Sequence, residues 1–365
     1  MKRRIFLQGG LAVTAANQLH AAWRSGKLDE AGGVLARSVA DGKLHAGALY
    51  VRQGDSVFEK SYGAATTIDA VFLLASISKP MTAAALMTLY DQGNLGLEDP
   101  VKKFIPEFSG DGREKATIRN LLTHTSGLPD QLPENAALRK RNAPIEDFVA
   151  GAIRTPLRFQ PGERYSYASM GILLASEVAH RITGIVFLDF IDQVVYQPLG
   201  MKHSALGLGQ LKRKDTMRCQ VESAAPESGS GDPSAKSWDW NSLYWRALGA
   251  PWGGAHGSAL DVARFLAEFL HPTGKVVKPE TARLMIENNS PAGIAPRGLG
   301  FGIGSGAGGE GCSEKTFGHG GSTGTLAWAD PASDTICVVL TTLPGGAVKP
   351  HPRALASDLV AGAVV

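Results

Sequence analysis

The chain has 365 residues, 44% apolar and 19% charged, the make-up of a soluble globular protein with room for one large domain or two intertwined ones. Its formal charge of +3 comes from Lys2, Arg3 and Arg4 alone, so the remainder is neutral and offers no basic field for nucleic acid or an anionic membrane. Cys219, Cys312 and Cys337 are widely spaced and odd in number, which excludes a CxxC redox or zinc motif and a fully disulfide-stapled scaffold.

The start, MKRRIFLQGGLAVTAANQLHAAW, sets two arginines ahead of a modest apolar stretch and small residues, a pattern like the twin-arginine export signal. Residues 1–22 are therefore expected to direct export to the periplasm, the alternative being a basic start to a cytoplasmic chain. Residues 23–365 are expected to form the folded domain. No run of 18 apolar residues occurs elsewhere, so no membrane-spanning helix is expected.

AGALYVRQGDSVFEKSYG (46–63) holds two runs rich in Val, Tyr and Phe around Gly54-Asp55 and predicts a β-hairpin. From Thr82 to Gln92 the apolar spacing turns helical, with Gly93 placed as its C-terminal stop. Helices are predicted at 117–123, 145–153 and 168–183, and a polar loop over 221–237. Ser258 and Asp261 fit a capping box opening the helix VARFLAEFL. TLAWAD (325–330) and TICVVLTT (335–342) predict a second hairpin, with a small-residue helix at about 353–363. This order predicts an α+β fold: one antiparallel sheet built from both chain ends, with a mainly helical region at roughly 80–235 inserted between them.

Three segments carry candidate chemistry. VFLLASISKPMTAAALMTLY (71–90) places Lys79 three residues after Ser76 in an otherwise apolar stretch. On a helix these two share a face, so the amine can take the serine proton, and Pro80 falls in the first turn where its missing N–H costs little. Helix N-terminal N–H groups beside Ser76 would favour negative charge. The bland readings are an N-cap serine and a snorkelling lysine, and S-x-x-K alone is a weak signal. PGERYSYASMG (161–171) sets Tyr165 and Tyr167 before a helix, and a phenol hydrogen-bonded to an amine titrates jointly with it. In FGHGGSTGTLAWAD (317–330), Gly320-Gly321 after His319 lets backbone approach a ligand closely. A strand-edge N–H there, with that of Ser76, would make a two-donor oxyanion site.

Together these segments resemble the serine β-lactamase and penicillin-binding-protein superfamily. The resemblance is to its class C β-lactamase-related branch, with family VIII carboxylesterases and D-aminopeptidases. LLASISKPMTAAALMTLYDQGNLGLEDPVKKFIPEF, ATIRNLLTHTSGLP, PWGGAHGSALDVARFL and RGLGFGIG follow the family's order, and the similarity covers about residues 30–345. It implies a β-lactamase/transpeptidase-like fold with Ser76 as acyl-accepting nucleophile, Lys79 as its base partner and Tyr167 as the motif tyrosine. Ser322 is implied as the second oxyanion N–H, with His319 where many β-lactamases carry the lysine of K-T-G. Ser169, His319, Gly320 and Gly321 are implied to face substrate. Two departures stand out: Tyr167-Ala168-Ser169 lacks the carboxamide of Y-x-N, and His319-Gly320-Gly321 replaces a fixed cation with a mostly neutral group. Both count against efficient β-lactamase action and favour an esterase or another amide-hydrolysing relative. The expected substrate is a small-molecule ester, with a β-lactam, a D-amino-acid peptide or non-hydrolytic penicillin binding as alternatives. No cofactor or metal is expected, and oligomeric state is left open.

Two further motifs compete. Gly320–Gly324 satisfies the G-x-S-x-G nucleophile elbow, with Asp334 and His351 following, but the elbow requires a strand before the serine and a helix after it. Gly306–Gly311 matches GxGxxG without a strand–helix frame, and His124 reads as a structural loop residue.

Overall fold

The two ends of the chain meet in one six-stranded antiparallel sheet of order β2-β1-β9-β8-β7-β6. Its strands are β1 (Ala46–Gln53), β2 (Ser56–Gly63), β6 (Gly302–Ile303), β7 (Phe317–Gly321), β8 (Thr325–Asp330) and β9 (Thr335–Thr341). The remaining strands, β3 (Phe72–Leu73), β4 (Ala205–Leu206) and β5 (Ala255–Gly257), form a small sheet of order β3-β5-β4. The computed structural model describes residues 25–363, so the twin-arginine-like segment 1–22 lies outside the described residues. In chain order the helices are α1 (Ser25–Ala40), α2 (Ser78–Asp91), α3 (Ile118–Leu122), α4 (Asn135–Lys140), α5 (Ile145–Arg154) and α6 (Ser169–Thr183). They continue with α7 (Phe187–Ile191), α8 (Leu243–Leu248), α9 (Ala259–Leu270), α10 (Pro279–Ile286) and α11 (Pro352–Ala361). No single helix among the described residues is long and apolar enough to cross a membrane.

Strand alternation explains how the sheet serves two cores. Gly47 lies opposite Thr341 and Gln53 opposite Thr335, so β1 and β9 pair along nearly their whole length. Leu49, Val51, Cys337 and Val339 face one side, against Leu28, Ala31 and Leu35 of α1 and Ala356 and Val360 of α11. Ala48, Tyr50, Val338 and Leu340 face the other, where Phe265 and Phe269 of α9 pack with Phe301 and Phe317. With both faces covered, β9 is buried throughout and β1 from Ala46 to Val51, whereas the edge strand β2 carries Glu59 and Lys60 into solvent. Helix α1 was not foreseen, because Gly32-Gly33 interrupts its helical pattern. Gly32 gives room to the Tyr62 side chain, whose hydroxyl a Cβ would meet at 2.5 Å and have to displace.

Between Gly63 and Gly302 the chain leaves the large sheet and builds the helical region. Its centre is α2, buried from Ser78 to Leu89. The segment over the future site is held by Arg246, a fully buried side chain of α8. Its guanidinium donates to the carbonyls of Trp240 (2.7 Å) and Met217 (2.9 Å), to Thr216 Oγ1 (2.9 Å) and to Asn241 Oδ1 (3.1 Å). The capping box at Ser258 is half formed. Ser258 accepts the Asp261 N–H at 3.2 Å, but the Asp261 carboxylate is drawn away to the His203 N–H, the Ser204 hydroxyl and Arg264. Replacing Arg246 by Met strips donors from four acceptors at once and is expected to lower the unfolding free energy by about 3 kcal/mol, read from urea denaturation. An unchanged midpoint would show that other donors already serve those acceptors.

Candidate active site

After β3 the chain turns sharply. Ala75 adopts φ +49°, a left-handed conformation that costs a non-glycine residue roughly 1–2 kcal/mol, and Ala75–Ile77 forms a 3-10 turn ahead of α2. Ser76 thus sits in that turn, two residues before the helix begins at Ser78. Long-range hydrogen bonds hold the turn. Ser78 Oγ donates to the Ala75 carbonyl (2.6 Å) and accepts the Ala255 N–H (2.9 Å). Thr323 Oγ1 donates to the Leu73 carbonyl (2.6 Å) and Thr325 Oγ1 to that of Leu74 (2.8 Å). These threonines bring the β7–β8 turn, which carries Ser322, against the segment that carries Ser76. Gly321 makes the approach possible, because a Cβ there would stand 2.4 Å from the Leu74 carbonyl oxygen. Ser322 itself is exposed, its carbonyl accepts the Gly345 N–H (2.9 Å), and its own N–H has no partner among the described residues.

Lys79 is 1% exposed, the degree of burial at which an amine needs partners. It has three: Ser76 Oγ at 3.0 Å, the Trp252 carbonyl at 2.7 Å, and the face of Tyr167, whose ring centroid lies 4.8 Å from Nζ. The expected phenol–amine hydrogen bond is absent, and the Tyr167 hydroxyl has no hydrogen-bond partner among the described residues. The tyrosine is placed by its ring, which packs on His124 with centroids 4.6 Å apart. His124 is fully buried at φ +59° and accepts the Ala168 N–H at 3.2 Å, tying itself to the residue that opens α6. Burial, then the nearby cations Arg297 and Lys79, holds His124 well below the ordinary imidazole range.

Ser169 and His319 occupy different settings. Ser169 lies on the cavity wall, with its hydroxyl donating to Asp130 Oδ1 (2.5 Å) and its N–H to the same oxygen (3.1 Å). His319 is half-buried and off that wall, its ring turned toward Tyr167 with centroids 6.1 Å apart. Its Nδ1–H donates to the Gly320 carbonyl (2.7 Å), while Nε2 is sealed from solvent with no hydrogen-bond partner among the described residues. Burial first, then Arg297 and Lys79, pushes His319 down to about 3, so the ring is neutral.

A cavity of about 620 Å³ opens over Ser76, Lys79, Tyr167, Ser169 and Gly320–Ser322. Asp130, Arg353 and three tryptophans, Trp240, Trp245 and Trp252, also line it and were not singled out from sequence. The tryptophans left a trace there, since four of the chain's six fall between 238 and 252. Asp130 and Arg353 left none, being surface-type residues brought in by the fold. The competing elbow is not assembled: Ser322 joins two antiparallel strands, Asp334 bonds His271 (2.5 Å), and His351 caps α11 and bonds the Leu343 carbonyl (3.0 Å). Residues 305–307 form a 3-10 turn rather than a dinucleotide loop.

Comparison with known proteins bears on the family and the fold. The β-lactamase family model matches residues 33–361. Esterase EstB of Burkholderia gladioli is 30% identical over 298 residues, covering 74% of each chain. Penicillin-binding protein 4* of Bacillus subtilis is 33% identical over 167 residues, 43% of this chain, which spans only about a third (36%) of that longer protein. EstCE1, a hydrolase with promiscuous acyltransferase activity, superimposes with a TM-score of 0.75 at 20% identity, over 92% of this chain and 99% of the other, a likeness of fold. With its two-ended sheet, inserted helices and family match over nearly the whole domain, the chain belongs to the β-lactamase family.

Proposed function

We propose that the protein is a serine hydrolase that works through an acyl-enzyme on Ser76 and takes small carboxylic esters. The observation that carries this reading is the 3.0 Å contact between Ser76 Oγ and the buried Lys79 amine, itself held by the Trp252 carbonyl. With one N–H kept on that carbonyl, Lys79 in its deprotonated form takes the Ser76 proton as Oγ attacks the ester carbonyl. The developing oxyanion is served by the N–H groups of Ser76 and Ser322. The proton passes to the leaving alkoxide, through Lys79 or the unpartnered Tyr167 hydroxyl, and the alcohol departs. Water then attacks the acyl-enzyme by the same route in reverse, releasing the acid and restoring Ser76.

Two features support esters over β-lactams. His319 is neutral where a K-T-G lysine would meet a substrate carboxylate, and the Ser169 hydroxyl is already committed to Asp130. The esterase relative points the same way. The second reading, hydrolysis of β-lactams or D-amino-acid peptides, draws on Arg353 as a cation on the cavity wall and on the penicillin-binding relative. Export is part of the proposal and rests on residues 1–22 alone.

Ser76→Ala is expected to abolish p-nitrophenyl butyrate hydrolysis and the mass increase of one acyl group seen when the wild type is quenched during turnover. Full activity in that variant would remove Ser76 from the mechanism. Wild type is expected to turn over short esters faster than nitrocefin, and the opposite preference would select the second reading.

The buried histidines predict a stability profile. His256 and His319 are pushed down to about 3 and His351 to about 4, and His124 is held well below its usual range, in each case chiefly by burial. Unfolding frees them to bind protons near pH 6.5, so the unfolded state carries more protons between that pH and about 4. Stability from their neutrality is complete above pH 6.5 and is lost as pH falls, at roughly 1 kcal/mol per histidine per pH unit. Urea melts at pH 7 and 5.5 are expected to differ by several kcal/mol. Equal stabilities would mean that these rings take up protons while the protein stays folded.

A further inference from the structure

Arg353 stands in the first turn of α11, and its side chain runs to the end of β7. Its Nη1 donates to the Gly321 carbonyl and, at 2.8 Å, to the Thr325 carbonyl. The Gly321 carbonyl belongs to the same peptide group as the Ser322 N–H. A peptide is one conjugated unit, so a cationic donor on its oxygen draws electron density from its nitrogen and makes the N–H a stronger donor. The same bond fixes the plane of the peptide and hence the direction in which that N–H points.

The surroundings keep the guanidinium in place. His351 accepts the Arg353 backbone N–H at Nδ1 (3.0 Å) and donates from Nε2 to the Leu343 carbonyl (3.0 Å), which anchors the start of α11 to the 343–346 loop. That loop returns a bond to the same turn, Gly345 N–H to the Ser322 carbonyl (2.9 Å). Gly345 packs so closely that a Cβ would stand 2.6 Å from Arg353 Nη2. Both peptides flanking Ser322 are therefore gripped by their carbonyls, while the Ser322 N–H is left without a partner among the described residues. Burial lowers the basicity of Arg353.

We propose that Arg353 is a positioning residue for the oxyanion site, aligning and polarising the Ser322 N–H through the Gly321–Ser322 peptide. This rests on the acyl-enzyme reading. The charge it acts on is the oxyanion that develops during reaction, so its effect belongs in kcat and extends to uncharged substrates.

The test compares wild type, Arg353→Met and Arg353→Lys on p-nitrophenyl butyrate and on the mono-p-nitrophenyl ester of glutaric acid, which carries a free carboxylate. Inhibition by butylboronic acid, which adds to a serine hydroxyl as a tetrahedral anion, is measured alongside. Arg353→Met is expected to lower kcat about tenfold on both esters, with KM nearly unchanged, and to weaken boronate inhibition in proportion. Arg353→Lys, which restores one donor to the Gly321 carbonyl, is expected to recover most of both. A loss confined to KM for the carboxylated ester would instead make Arg353 a substrate-carboxylate holder and overturn the proposal. A fall in kcat with boronate inhibition unchanged would overturn it as a general structural disturbance. Should the Met variant fail to fold by circular dichroism, the Lys variant decides by whether its kcat and boronate affinity move together. Ser76→Ala separates the two levels: full turnover in that variant would sink the acyl-enzyme reading, whereas an inactive Ser76→Ala beside an unaffected Arg353→Met sinks the Arg353 proposal alone.

Discussion

Two threonine hydroxyls join the halves of this molecule at the point where chemistry is placed. Thr323 and Thr325, on the C-terminal part of the sheet, donate to the carbonyls of Leu73 and Leu74, some 250 residues earlier. The candidate groups lie far apart in sequence, so no local element can set their separation. The left-handed Ala75 turn is tolerable for the same reason. Bonds from Thr323, Thr325, Ser78 and Ala255 together contribute more than the roughly 1–2 kcal/mol that the strained residue costs. Strain held in this way fixes Ser76 Oγ toward the cavity while its neighbours remain buried.

The second constraint is electrostatic. Lys79 and Arg297 are near enough to act on the same histidines, and both His124 and His319 answer by staying neutral. A protonated imidazole at either position would add a third positive charge to a low-dielectric space, which burial and the existing cations together forbid. Neutral rings can then do steric work: His124 packs against Tyr167, and Tyr167 covers the Lys79 amine. The tyrosine's role follows from this stacking order. Its ring shields the amine, and its hydroxyl stays available because no group among the described residues claims it.

How much of this was legible depended on whether the signal was local. The two hairpins, α6, α9 and α11 are announced by alternation, helical spacing and stops, and Gly93 and Gly184 close α2 and α6 with positive φ as such stops require. The Ser76–Lys79 contact was likewise readable, because three residues of helix-like chain bring the side chains together. Helix α1 was hidden by Gly32-Gly33, and the close approach of the Tyr62 hydroxyl to Gly32 exists only in the folded state. The small sheet was hidden by its length, since strands of two or three residues have no period to detect. Asp130 on Ser169, Arg353 on Gly321, and the contact of Lys79 with the ring of Tyr167 rather than its hydroxyl depend on meetings between distant segments. No spacing rule encodes them.

The placement of positive charge has a consequence for selectivity. A cation that reaches into a cavity acts on charge the substrate already carries, so it strengthens ground-state binding and chooses among substrates. A cation bonded to strand carbonyls acts on charge that appears only during reaction, so it strengthens transition-state binding whatever the substrate's net charge. At His319, where the resemblance places a lysine, this chain has a neutral ring off the cavity wall, while Arg353 is spent on the carbonyls of Gly321 and Thr325. Moving positive charge from the first position to the second relaxes the demand for an anionic substrate without weakening the oxyanion site. An uncharged ester is the substrate such a change admits, and three tryptophans on the cavity wall offer its carbon framework an apolar surface.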